Sequence, residues 1–230
     1  MTENELFQQY KTIWEKYAEA SFNKILQRGF MFQYDPDEQD CDLLFVGINP
    51  AFGKGEDSSY SSYSRPSNSD EQKVSYFKSF EFVSTMLQKE YSWNGKWTHL
   101  DIFVFRETNQ NYIQDTLLRS KEGVSFLYDQ ILVARKRIMH TKPRVIVISN
   151  ALVRMFTGKE RILKSTGEEL GVWMDFHFVF DKHLGTDVIT TPAELAGTPV
   201  FFTSMLSGQR ALDNGSKERL IWHISKILMG

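Results

Sequence analysis

The stretch Leu43-Leu44-Phe45-Val46-Gly47-Ile48-Asn49-Pro50 decides the fold class. Its apolar residues are consecutive and end at a glycine, without the alternation of a half-exposed strand. Such a run suits a strand covered on both faces, as in a parallel sheet. Outward along the chain, LDIFVF at 100–105, VIVIS at 145–149 and the segment 200–203 have the same character. Apolar residues at helical spacing separate them. Leu6, Tyr10, Ile13, Trp14, Tyr17 and Ile25 predict an amphipathic helix over 6–26. Further helices are expected over 70–89, over 123–139, from Asn150 to Phe156, and over 216–228 with Ser216 as N-cap. Strands and helices thus alternate, and this predicts an α/β domain in layers around a four-stranded, mainly parallel sheet. The alternation of Val172, Met174, Phe176, Phe178 and Phe180 adds an antiparallel or edge strand whose rings face the core. Segment 58–69, rich in Ser, Tyr, Pro and Asn, reads as a loop.

A chain of 230 residues can bury a substantial core. A single domain over 1–230 is expected, with 1–40 as an N-terminal helix and lead-in. Lys+Arg 27 against Asp+Glu 29 leaves a net charge of -2, so an anionic partner must be held by a local patch. Arg135, Lys136, Arg137 and His140 suit the C-terminal end of their helix, with a phosphate-binding patch as the alternative. The single cysteine, Cys41, excludes an internal disulfide and a Cys-based zinc or iron–sulfur site, and reads as a small buried residue. The five histidines are scattered without metal-ligand spacing. No apolar run is long enough for a membrane span, and Thr2-Glu3-Asn4-Glu5 is unlike a signal peptide. These features give the expectation of an intracellular, cytoplasmic protein.

In open parallel sheets, ligands bind at the carboxyl ends of the strands. The most informative such end is Gly47-Ile48-Asn49-Pro50-Ala51. Gly47 permits close backbone approach and Pro50 fixes the next φ. Asn49 is held between them with a carboxamide that orients a water but is a poor base. A structural Asx-turn explains the same residues. The loop that follows carries Tyr63, Pro66 and Asn68.

Together these residues resemble the uracil-DNA glycosylase superfamily, most closely its mismatch-specific uracil/thymine branch. That branch opens with Gly-Ile-Asn-Pro-Gly and then places an aromatic three residues before a proline and an asparagine two residues after it. The resemblance extends more loosely over about residues 43–228. It implies a three-layer α/β/α sandwich and a base-excision DNA repair activity: hydrolysis of the N-glycosidic bond of a uracil-type or mismatched pyrimidine flipped out of DNA. It implies no metal or redox cofactor, DNA as partner, no membrane, and a monomer. Carried onto this chain, Asn49 positions the attacking water. Tyr63 stacks on the base, with Tyr60 as a fallback, and Asn109 or Asn150 reads its edge. Ile48, Ala51 and Phe52 complete the base pocket. Ala51 leaves room for a 5-methyl group unless Phe52 fills the space. Ser204, Met205, Leu206, Ser207 and Arg210 match the family's last motif, with Leu206 as the wedge entering the minor groove and the serines and Arg210 on phosphate.

Two departures stand out. Asn49 replaces the aspartate of the most active branch, and Phe202 and Thr203 stand where many members have a histidine. Glu56 and Asp57 are rival general bases. The alternatives are a non-catalytic nucleic-acid binder of the same fold, and an enzyme acting on a free nucleoside or other small ligand. The latter implies a closed pocket and no wedge at Leu206.

Overall fold

The computed structural model describes residues 1–53, 55–64, 77–159, 162–163, 169–170, 173–206 and 211–230. Its strands are β1 (Gly29–Gln33), β2 (Cys41–Gly47), β3 (Ser59–Tyr63), β4 (Lys96–Asp101), β5 (Val145–Ile148), β6 (Ile162–Leu163), β7 (Glu169–Leu170), β8 (His177–Asp181), β9 (Thr186–Thr191) and β10 (Pro199–Phe202). Its helices are α1 (Glu3–Lys16), α2 (Asn23–Leu26), α3 (Lys78–Tyr91), α4 (Asn111–Asp115), α5 (Lys121–Thr141), α6 (Ala151–Thr157) and α7 (Asn214–Met229).

Among the described residues the main sheet has six strands in the order β4-β2-β5-β10-β9-β8, not four. The first four run parallel, and β9 and β8 add an antiparallel hairpin. Consecutive residues of β2 serve opposite cores, which is why its sequence shows no alternation. Leu44 and Val46 join the layer of α1, α5 and α6, while Leu43 and Phe45 join that of α3 and α7. Helices therefore cover both faces, and the chain is α/β with a mostly parallel sheet. Cys41 is buried at the start of β2. No helix among the described residues is long and apolar enough to cross a membrane.

Several expectations shift. The sheet pairing of the second strand spans 96–101 rather than 100–105. Thr98 and His99 are polar yet buried, because Gln33 at the end of β1 and Asp35 just after it supply their hydrogen-bond partners. Gln33 Nε2 donates to Thr98 Oγ1 at 3.1 Å, Thr98 Oγ1 donates to Asp35 at 2.7 Å, and Gln33 Oε1 lies 3.1 Å from His99 Nδ1. The first helix stops at Lys16 and α2 follows as a short separate turn. Part of the supposed loop is β3, which pairs in parallel with β1. Asp213, not Ser216, caps α7: its Oδ1 accepts from the Ser216 backbone N–H at 3.0 Å. Of the alternating phenylalanines, Phe176 is buried and Phe178 packs on Phe202, but Phe180 is 58% exposed on edge strand β8. Val172 lies outside the described residues, as does the start of the helix expected over 70–89. Arg137 is no surface cation of a helix end. It is buried, with Nη2 2.9 Å from Glu38 Oε2.

Pairing of β1 with β3 depends on Gly29. Its φ of 76° is in the left-handed region, and a Cβ there would lie 1.9 Å from the Ser59 carbonyl oxygen. Gly29→Ala is expected to destabilise the fold by roughly 2 kcal/mol. The check is a lower denaturant midpoint; an unchanged one would refute the close approach.

Candidate active site

Gly47 ends β2, and the chain turns away at the carboxyl end of the sheet. The Asn49 carboxamide is anchored there by its nitrogen. Nδ2 donates to the Pro50 carbonyl at 2.9 Å and to the Glu107 carbonyl at 2.6 Å, while the Glu107 N–H donates to the Pro50 carbonyl at 3.0 Å. With both amide hydrogens engaged, Oδ1 is the remaining polar atom. It is buried and accepts no hydrogen bond among the described residues. Asn49 borders a cavity of about 60 Å³, together with Gly47, Ile48, Phe80, Gln110, Ser149, Asn150, Met205 and Leu206. The strand ends of β2 and β5, the start of α6 and the segment after β10 thus meet at one point.

The structure brings Ile48, Asn49, Asn150, Met205 and Leu206 together as expected residues of one site. Asn150 has a second duty. Its Oδ1 accepts from the Leu152 N–H at 2.8 Å as the N-cap of α6, and its Nδ2 donates to Gln110 Oε1 at 3.2 Å. Ile48 also belongs to the core beneath the sheet.

Other candidates sit elsewhere. Ala51 is exposed and Phe52 does not fill the cavity. The Phe52 ring packs against two guanidinium groups, with Arg28 Cζ and Arg106 Cζ each 4.9 Å from its centroid. Asn109 is exposed, its side chain accepting from the Asn111 N–H at the start of α4, so Gln110 is the carboxamide that reaches the cavity. Tyr63 packs half-buried against Phe77, with ring centroids 5.8 Å apart. Burial and the nearby Asp101 carboxyl push its phenol well above the usual tyrosine range. It does not line the cavity; the ring that does is Phe80. Tyr60 is exposed beside a different cleft. Leu206 is 2% exposed and packs into the core shared by α3 and α7, so it is not presented as a wedge. Ser204 is exposed outside the cavity, and Ser207, Arg210, Pro66 and Asn68 lie outside the described residues. Glu56 is held in an ion pair by Arg106, and the Asp57 carbonyl accepts from the same guanidinium at 2.9 Å. Neither carboxylate lines the cavity.

Behind Phe80 lies a pair that sequence reasoning missed. The His99 ring stacks on Phe80 at 5.0 Å, and Asp101 is the register partner of Gly47. His99 Nε2 and Asp101 Oδ1 are 3.5 Å apart and both side chains are buried. Burial drives the imidazole down to about 3, with the Arg137 charge adding to the effect. Burial raises the Asp101 carboxyl to about 8, against the opposing pull of Arg137. Burial thus favours the uncharged form of each partner at neutral pH. The one signal available was an aspartate inside an otherwise apolar run. Neither a protein-family model nor a curated protein matches this chain.

Proposed function

We propose that the chain hydrolyses the N-glycosidic bond of a nucleobase, with Asn49 holding the attacking water. The observation that carries this reading is the Asn49 Oδ1 atom, buried with no hydrogen-bond partner among the described residues, on a residue that borders a cavity large enough for water. A water donating to Oδ1 satisfies that atom and is fixed in place. Its oxygen would bond to the anomeric carbon as the carbon–nitrogen bond breaks, and the base leaves with the electron pair. An amide does not take up the water's proton, which passes to the departing base anion; catalysis comes from positioning, and good leaving groups are favoured. Gln110 and Asn150 bring hydrogen-bonding groups and Phe80 an aromatic ring to the same cavity. The loop likeness at Asn49 supports DNA as the source of the base.

A cavity of about 60 Å³ is smaller than a usual ligand site of roughly 300–1,000 Å³, so a base enters only when a wall yields. Leu206, packed in the core and not presented as a wedge, favours a second reading in which the substrate is a free nucleoside. One experiment separates the two. Labelled duplexes carrying uracil, a thymine mismatch, hypoxanthine or etheno-cytosine are incubated with the protein, in parallel with free nucleosides. Base release from a duplex, lowered roughly 100-fold in Asn49→Ala, is the expected result. Release from nucleosides alone selects the second reading. A protein that binds DNA but releases no base is a non-catalytic binder, and the hydrolytic proposal then fails.

A further inference from the structure

A larger cleft lies between α1, α2 and β3 and shares no lining residue with the Asn49 cavity. Its volume of about 520 Å³ falls within the usual range for small-molecule sites. Three aromatic residues line it. Phe7 and Trp14 come from α1, and Tyr60 stands on β3, half exposed and edge-on to Phe30 at 5.2 Å. Trp14 Nε1 donates to the Leu26 carbonyl at 3.1 Å, so its polar edge is already satisfied. Asn23 and Gln27 border the same cleft one helical turn apart, which places two exposed carboxamides on one side of it. Each offers a donor and an acceptor. The rim carries Lys11 and Glu15 at 3.8 Å, one cation against one anion, so it has no net charge to hold a phosphate.

We infer that this cleft is a binding site for an uncharged planar heteroaromatic ring of the nucleobase class, stacked on Tyr60 and read at its edge by Asn23 and Gln27. Rings supply sequence-tolerant stacking, and carboxamides match the paired donor and acceptor of a base edge. The base can come from a free nucleoside or from an unpaired position in a strand. Arg28, next after Gln27, covers Phe52 in the loop that carries Asn49, so the cleft adjoins the loop of the first site. The inference does not rest on the proposed hydrolysis.

The test titrates the intact chain with adenosine, guanosine, cytidine and thymidine, and then with a short single-stranded oligomer of the base bound best. The read-out is the Trp14 indole N–H resonance. The expected result is a saturable shift, weakened roughly 5- to 150-fold by Tyr60→Ala but by no more than about twofold by Tyr60→Phe. Tighter binding of the oligomer assigns the base to a strand, and equal or weaker binding assigns it to a free nucleoside; either supports the site. No shift at millimolar ligand, or a shift that Tyr60→Ala leaves unchanged, overturns it. Asn49→Ala is expected to leave this binding intact, so loss of base release and loss of this site are read separately.

Discussion

Glu38→Ala is expected to destabilise the protein by about 3–5 kcal/mol. Arg137 projects from α5 into the core and meets Glu38, at the turn before β2, at 2.9 Å. Their side chains are 2% and 5% exposed. Burial opposes the guanidinium charge, and Glu38 is the chief group that sustains it. Arg137 Nε has no acceptor among the described residues, so removing Glu38 leaves a buried cation with even less compensation. The double variant Glu38→Leu, Arg137→Met removes both charges together and is expected to recover most of the loss, because an apolar pair avoids the cost of desolvation. Guanidinium denaturation of the two variants beside wild type reads this directly. A single variant within about 1 kcal/mol of wild type would contradict it.

The second large effect is a pH dependence carried by His99 and Asp101. Asp101 titrates near 8 in the fold and near 3.9 in an unfolded chain. Between those values the native state holds the extra proton, so stability falls as pH rises. His99 works in the opposite direction, at about 3 in the fold and about 6.5 unfolded. Between these values the unfolded chain holds the extra proton, and stability rises with pH. The two slopes cancel from about pH 4 to 6.5, leaving a decline of about 2 kcal/mol from pH 6.5 to 8. Asp101→Asn removes that alkaline decline and is expected to raise stability at pH 8 by on the order of 3–5 kcal/mol. Stability measured as a difference between wild type and variant cancels the other titrating groups. Parallel curves for the two proteins from pH 6.5 to 8 would rule out a buried, protonated Asp101.

What could be read from the chain follows from where the physics is local. The run Leu43–Val46 needs nothing but its own apolarity to become a central strand, and Gly47 and Pro50 place Asn49 at its end. The start of β4 was hidden because Thr98 and His99 are polar, and their burial depends on Gln33 and Asp35 from a distant segment. For the same reason the β3 segment reads as a loop in the sequence: Ser59, Ser61 and Ser62 carry no apolar pattern, and the strand exists through its pairing with β1. At the site, Asn49, Asn150, Met205 and Leu206 were legible as neighbours because they follow strand ends. Phe80, Gln110 and the His99–Asp101 pair were not, since helix packing and side-chain burial bring them in. Leu206 and Arg137 show the opposite failure, a surface role assigned to residues that tertiary packing takes inside.

The loop bearing Asn49 has one end in β2 and the other in β3, which belong to different sheets. Between them Phe52 packs against Arg28 and Arg106, and Thr108 Oγ1 accepts from its N–H and donates to its carbonyl. Residues 48–53, continuous with β2 and tied down at Phe52, have little conformational entropy left to lose when a ligand arrives. The wall that holds Asn49 is therefore ordered in advance, and the entropic cost of admitting a larger ligand falls on the rest of the cavity's lining.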